Sequence, residues 1–82
     1  MTKDDMLKSL EEALKFVLCK NLEGEDRLSM EMSIKQFIEE DASFLSSEEL
    51  LSKFNTPKQS VDRFIAYLEK IGAHKNAGIS FH

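Results

Sequence analysis

The sequence predicts a mainly α-helical domain with a small β-hairpin at its C-terminal end. Apolar residues recur at three- and four-residue spacing over three long stretches, which is the pattern of helices with one buried face. Two capping signals, at Ser46 and Thr56, predict the starts of a further short helix and of the last long helix. An Asn-Ala-Gly sequence at residues 76–78 is typical of a tight turn and predicts a hairpin over 73–81.

Composition limits the chain to one compact domain. It has 82 residues, of which 41% are hydrophobic and six are Phe, and this is too apolar for a disordered chain. Cys19 is the single cysteine and has no partner for an internal disulfide, so a reducing, cytoplasmic setting is expected. Charged residues interrupt residues 1–20, which excludes a signal peptide or a membrane span there.

The first predicted helix runs from Lys3 to about Leu22. Thr2 and Asp5 have the spacing of a capping box, and Gly24 is placed to end the helix. The apolar stripe of this helix is broad, and two interpretations stay open: the whole stripe is core, or part of it forms the seam of a homodimer. The candidate dimerisation residues are Leu7, Leu10, Leu14 and Val17.

The second helix is predicted to begin at Ser29 or Ser33 and to end near Glu40, after a polar connection at residues 23–27. The segment that follows, Ala42–Leu45, is too short for a helix. We expect a tight extended link there, with its Phe and Leu side chains entering the core.

Two capped helices are predicted next. Capping boxes that begin at Ser46 and Thr56 start a short helix over 47–54 and a longer helix over 57–71. The longer helix has one apolar face, and Gly72 supplies a left-handed end. The residues of that face are Val61, Phe64, Ile65, Leu68 and Ile71.

Charge is unevenly distributed along the chain. The net charge is −4, which argues against a polyanionic ligand. Residues 1–50 contain six basic and thirteen acidic side chains, a net of −7, whereas residues 51–82 contain five basic and two acidic side chains, a net of +3. The positive part contains the capped helices, and both chance and a ligand remain open as explanations.

The predicted elements follow the order helix, short link, helix, turn, capped helix and hairpin. This order resembles that of a winged helix-turn-helix domain of the DeoR-type and LexA-type repressors. The resemblance covers about residues 29–82. It divides the chain into residues 1–26, a helix and connection that can serve as a dimerisation element, and residues 27–82, the winged helix-turn-helix domain. The residues that carry it are Leu50, Leu51 and Phe54 for the buried face of the first helix, Asn55-Thr56-Pro57 for the turn, Ser60-Val61 for the polar and β-branched pair, and Leu68-Glu69 with Gly72 for the end of the recognition helix.

The resemblance implies a small transcriptional regulator that binds double-stranded DNA as a homodimer. The helix over 57–71 would enter the major groove, where Arg63 would read guanine and Gln59 adenine, and the hairpin would contact the backbone or the minor groove. The candidate DNA-binding residues are Lys53, Thr56, Lys58, Gln59, Ser60, Arg63, Tyr67, His74, Lys75 and Asn76.

One departure from the family pattern and one requirement of DNA binding leave an alternative function open. Asp62 stands where the related repressors commonly carry a basic residue, and it can instead pair with Lys58 or Arg63 on the helix surface. DNA binding also requires that Lys58, Arg63 and Tyr67 face solvent. The rival hypothesis is a winged-helix protein-interaction module or adaptor that binds no nucleic acid, since a fold alone does not determine function.

Neither catalysis nor a cofactor is expected. The sequence contains no spacing typical of a nucleophile and its base, no Gly-rich phosphate loop, and no His or Cys cluster for a metal. Residues 41–45 are faintly similar to the attachment site of acyl carrier proteins, but an extra residue separates Asp41 from Ser43 and the last helix follows too closely. No small-molecule ligand is evident.

Overall fold

The computed structural model describes the backbone of residues 2–79 and the side chains of residues 2–72. This part of the chain forms α1 (Lys3–Cys19), α2 (Gly24–Glu40), α3 (Ser47–Lys53) and α4 (Pro57–Ile79), with one turn of 3₁₀ helix at Ala42–Phe44. Helix α1 contacts α2, α3 and α4. None of the helices described combines the length and the apolarity needed to cross a lipid bilayer.

Three predicted helix starts are confirmed. At each one a hydroxyl oxygen accepts from the backbone N–H three residues later, and the side chain of that later residue accepts from the N–H of the cap. The distances are all 3.0–3.2 Å. The pairs are Thr2 with Asp5 before α1, Ser46 with Glu49 before α3, and Thr56 with Gln59 before α4.

The turn between α1 and α2 is shorter than predicted. Helix α1 ends at Cys19, and α2 begins at Gly24 instead of at Ser29 or Ser33. The N–H of Leu22 donates to the Cys19 carbonyl at 3.0 Å, which closes the turn. Gly24 has a φ of +59°, a conformation that suits glycine, so the residue expected to end the first helix instead starts the second.

The core is centred on Phe37 of α2, whose side chain is completely buried. The rings of Phe54, Phe64 and Tyr67 surround it, with centroid distances of 6.1, 5.5 and 5.3 Å. The same core includes side chains from α1, so α1 packs as part of one unit with the remaining helices. The other buried apolar residues are Leu10, Leu14, Cys19, Ile34, Ile38, Ala42 and Leu50.

The link after α2 differs from the extended segment that the sequence predicts. Residues Ala42–Phe44 form a 3₁₀ turn, and the Ser43 hydroxyl donates to the Glu39 carbonyl at 2.6 Å. Because this turn rotates successive side chains, Ala42 enters the core and Phe44 points outward, 79% exposed. Of the two predicted core residues in the link, only Leu45 packs against the core.

Helix α4 is rotated about its axis relative to the prediction. Phe64 is buried as expected, but Ile65 is 45% exposed, and Tyr67 takes a buried position in its place. Tyr67 packs on Phe37 of α2, so the helix turns toward α2 instead of presenting the predicted apolar face squarely to the core.

The predicted hairpin is wrong, whereas the mainly helical part of the predicted fold class is confirmed. Helix α4 continues through Gly72 to Ile79, and residues 2–79 contain no strand. Extending a helix that already exists adds one hydrogen bond per residue, while an isolated two-stranded hairpin is marginally stable in water. Ser80 and Phe81, which belong to the predicted hairpin, lie outside the described residues.

The two glycines provide a test of these helix boundaries. Gly72→Ala should stabilise the protein by about 0.5–1 kcal/mol, because Gly72 lies within α4 and an added Cβ meets no atom within 4 Å. Gly24→Ala should destabilise it by about 1–2 kcal/mol, because an L-residue is strained at positive φ even where space is open. Urea unfolding measures both. A loss of stability in Gly72→Ala would show that the helix ends there in a left-handed conformation.

Candidate functional site

Three candidate DNA-binding residues around the start of α4 are exposed, but each already contacts another group of the same chain. They are Thr56, Lys58 and Gln59. Thr56 and Gln59 bind each other's backbone N–H groups in the capping box. The Lys58 ammonium lies 2.9 Å from a carboxylate oxygen of Asp62, which is the surface pairing that the sequence left open. Lys53, at the end of α3, is half-buried. Of the two lysines among these candidates, Lys58 is exposed but paired with Asp62, and Lys53 is half-buried.

Arg63 and Tyr67 lie against other parts of the molecule. The guanidinium carbon of Arg63 is 5.4 Å from the centroid of the Phe54 ring, and Nη2 is 3.9 Å from a carboxylate oxygen of Asp41. The Tyr67 hydroxyl donates to the Glu40 carboxylate at 3.0 Å, and its side chain is 8% exposed. Both residues attach α4 to the C-terminal end of α2. Tyr67 is therefore packed against α2 instead of facing solvent.

Two further groups complete the predicted DNA-binding set. Ser60 is buried, and its hydroxyl donates to the Thr56 carbonyl at 3.2 Å. His74, Lys75 and Asn76 belong to the backbone of α4 instead of a wing, and their side chains lie outside the described residues. DNA contact by these residues stays a prediction, and the structure does not gather the described ones on one exposed face.

The candidate dimerisation residues are divided between the core and the surface. Leu10 and Leu14 are buried within the chain, and Leu7 is half-buried against the same core. Val17 is 43% exposed. Most of this stripe is therefore covered by the chain's own helices, and a homodimer stays a prediction.

An apolar groove of about 370 Å³ lies between α1, α3 and the start of α4. Leu10, Leu50 and Ser60 are buried and form its floor, and Leu51 is 61% exposed at its edge. Seven of the ten residues around it are apolar, and none is charged. We call this feature the groove and define it by Met6, Ser9, Leu10, Ala13, Leu50, Leu51, Phe54, Asn55, Pro57 and Ser60.

The groove follows from helical spacing. Met6, Leu10 and Ala13 are four and three residues apart, so they share one face of α1. Leu50 and Leu51 are adjacent in α3 and point about 100° apart, so they cannot both enter the core. Leu50 is buried and Leu51 remains at the surface. The adjacent leucines are the available sequence signal, although the resemblance to winged helix-turn-helix domains assigns both to the buried face of their helix.

A second cavity, of about 400 Å³, lies between the end of α2 and the middle of α4. Glu40 and Asp41 supply negative charge, and Arg63 and Lys70 supply positive charge. Arg63 Nε is buried and makes no hydrogen bond to any group in the described part of the chain. The mixed charge favours neither an anion nor a cation. The described residues also include no cluster of His, Cys, Asp and Glu able to hold a metal.

The pKa of Tyr67 reports how closely α4 packs against the end of α2. Burial, followed by the hydrogen bond to Glu40, raises the pKa of Tyr67 to about 12 from its ordinary value of 10.0. Because the folded pKa is the higher, the neutral hydroxyl stabilises the fold fully below about pH 10. This contribution is lost as the pH rises through about 12.

We predict that tyrosinate absorbance will show this shift without interference, because Tyr67 is the chain's single Tyr and there is no Trp. At about pH 11, roughly one-tenth of Tyr67 should be ionised in the folded protein and roughly nine-tenths in urea. Glu40→Gln should lower the folded pKa, and circular dichroism at each pH confirms that the chain is folded. A folded pKa near 10 would mean that Tyr67 faces solvent.

Comparison with known proteins adds no family to this description. No protein-family model, no curated protein and no solved structure matches the chain. The groove and the packing of α4 on α2 are therefore the observations from which a function can be inferred.

Proposed function

We propose that this chain is a small protein-interaction module whose groove holds an amphipathic helix of a partner protein. The observation that carries the proposal is the open apolar groove, at whose edge Leu51 stays 61% exposed while the adjacent Leu50 is buried. Concave, mostly apolar surfaces with a few polar groups are where proteins bind their ligands. The polar groups here are Ser9, Asn55 and Ser60.

A helix suits the shape of the groove. The α1 wall from Met6 to Ala13 spans seven rises of 1.5 Å, about 10 Å, which is two turns of a partner helix. Residues 2–79 offer no strand edge with which an extended peptide could pair. A partner helix with apolar residues at positions i, i+3, i+4 and i+7 would place two or three side chains over Leu10 and Leu51.

The small size of the groove supports a weak, reversible contact. Each apolar anchor buried contributes about 1.5–3 kcal/mol, and the cost of association and of ordering the side chains must be subtracted. Three anchors of about 3 kcal/mol give about 9 kcal/mol, and an association cost of at least about 4 kcal/mol leaves about 5 kcal/mol, so the dissociation constant is roughly 0.2 mM at best.

DNA binding is less well supported by the geometry. Ser60 and Tyr67 are buried, Arg63 is packed on Phe54, and Lys58 is paired with Asp62. The net charge of −4 also disfavours a polyanion.

For the cellular setting, the buried and unpaired Cys19 supports the cytoplasmic location inferred from the sequence.

The chain offers a matched pair of leucines for a test of the groove. Leu51 and Leu28 are both 61% exposed in helices, but only Leu51 lines the groove. The probe is a stapled helical peptide with Leu at positions i, i+3, i+4 and i+7 and Gln elsewhere. Its addition should shift the amide NMR signals of groove residues such as Ala13 and Asn55. Leu51→Asp should weaken binding at least about tenfold, whereas Leu28→Asp should leave it unchanged.

Two results would overturn the proposal. One is the absence of any groove shift at millimolar peptide, and the other is an equal loss of binding in Leu28→Asp and Leu51→Asp. If instead duplex DNA binds in low salt, and Lys58→Ala and Arg63→Ala weaken that binding, the DNA-binding interpretation replaces the groove.

A further inference from the structure

We propose that the partner helix carries lysine or arginine on both flanks of its apolar face, because acidic side chains border the groove on both sides. This inference rests on the proposed function and adds the chemistry by which the groove would select its partner. The groove itself contains no charged residue, so its border supplies the charge that a partner meets first.

Three exposed carboxylates form this border. Ser9 lines the groove from α1, and Asp5 and Glu12 lie four residues before it and three after it, on the same side of the helix. Leu51 lines the groove from α3, and Glu48 lies three residues before it. We call Asp5, Glu12 and Glu48 the acidic rim.

Two of these carboxylates are unpaired within the part of the chain whose side chains are described. Asp5 accepts from the Thr2 N–H, but neither Glu12 nor Glu48 lies within 4.0 Å of a cationic nitrogen there. Glu11, next to Glu12, does have such a partner, Lys15, at 3.1 Å. The rim therefore retains its negative charge toward solvent.

Cations close in sequence form no direct ion pair with the rim. Lys8 lies three residues after Asp5 and four before Glu12, and Lys15 lies three after Glu12, but the ammonium nitrogen of neither is within 4.0 Å of a rim carboxylate. Lys58 follows the groove residue Pro57 but is paired with Asp62. Lys53 is two residues from Leu51 and therefore points away from the groove side of α3. The chain as a whole has the same sign, with a net charge of −4.

The acidic rim also argues against a second copy of this chain as the occupant. A two-fold symmetric dimer formed through the groove would place the same patch of both copies face to face. Glu12 and Glu48 of one copy would then approach the same carboxylates of the other, and like charges repel. A cationic amphipathic helix buries the same apolar surface and neutralises the rim instead.

The test uses three stapled peptides with one apolar face in common and Lys, Gln or Glu at the flanking positions. Binding to the intact chain is measured by NMR titration in low salt. We expect the Lys peptide to bind about three- to tenfold more tightly than the Gln peptide and the Glu peptide to bind least, because each exposed ion pair contributes modestly. The differences should shrink with added NaCl, which screens exposed charges.

A matched pair of double variants locates the effect. Glu12→Gln with Glu48→Gln should remove most of the preference for the Lys peptide. Glu25→Gln with Glu69→Gln changes the net charge equally at exposed positions outside the groove, and should keep the preference. Glu25 and Glu48 both lie in the first turn of a helix, so the two pairs also match in that respect.

The outcomes separate this inference from the proposed function. Equal groove binding by all three peptides would overturn the cationic partner and leave the interaction module standing, whereas no binding by any peptide would overturn both. Equal effects of the two double variants would also overturn the acidic rim. Sedimentation that shows a dimer, lost in Leu51→Asp, would identify a second copy as the occupant and overturn the cationic helix.

Discussion

The packing of three aromatic rings around Phe37 is the constraint on which the other features depend. Phe54 ends α3, Phe64 and Tyr67 belong to α4, and all three rings contact the Phe37 ring from different directions. Edge-to-face and tilted contacts of this kind depend on direction, so they orient the helices more strictly than apolar burial alone. The contact between the Tyr67 and Phe37 rings fixes the rotation of α4 about its own axis. Its polar side chains are then held at the end of α2.

That rotation changes what the charged residues of α4 can do. Arg63 packs between the Phe54 ring and the Asp41 carboxylate, and Tyr67 donates to Glu40. These contacts stabilise the junction of α2 and α4. In an isolated amphipathic helix the same residues would have formed a polar outer face able to meet a ligand.

The groove arises because α3 is too short to cover α1. Helix α3 has 7 residues and α1 has 17, which correspond to about 10 Å and 25 Å. Leu50 and Phe54 of α3 pack into the core, and the flank of α1 around Ala13 remains uncovered. Other apolar side chains, such as Met32 and Phe44, are also exposed, but neither lines the groove. Concavity, together with charge at its border, distinguishes the groove from these positions.

Local sequence signals were sufficient for the starts of α1, α3 and α4, but not for that of α2, since a capping box involves side chains and N–H groups only three residues apart and α2 has none. The caps at Thr2, Ser46 and Thr56 therefore appear where the sequence predicts them. Three outcomes depended on the tertiary structure. They are the continuation of α4 through Gly72, the burial of Tyr67 and the exposure of Leu51. Periodicity indicates that a helix has an apolar face, but it does not say which neighbours meet that face or how far a flank stays uncovered. Whether a glycine ends a helix or lies within it depends on whether extending the helix is more favourable than the competing hairpin. The burial of Tyr67 and the exposure of Leu51 are set by packing between residues far apart in the chain.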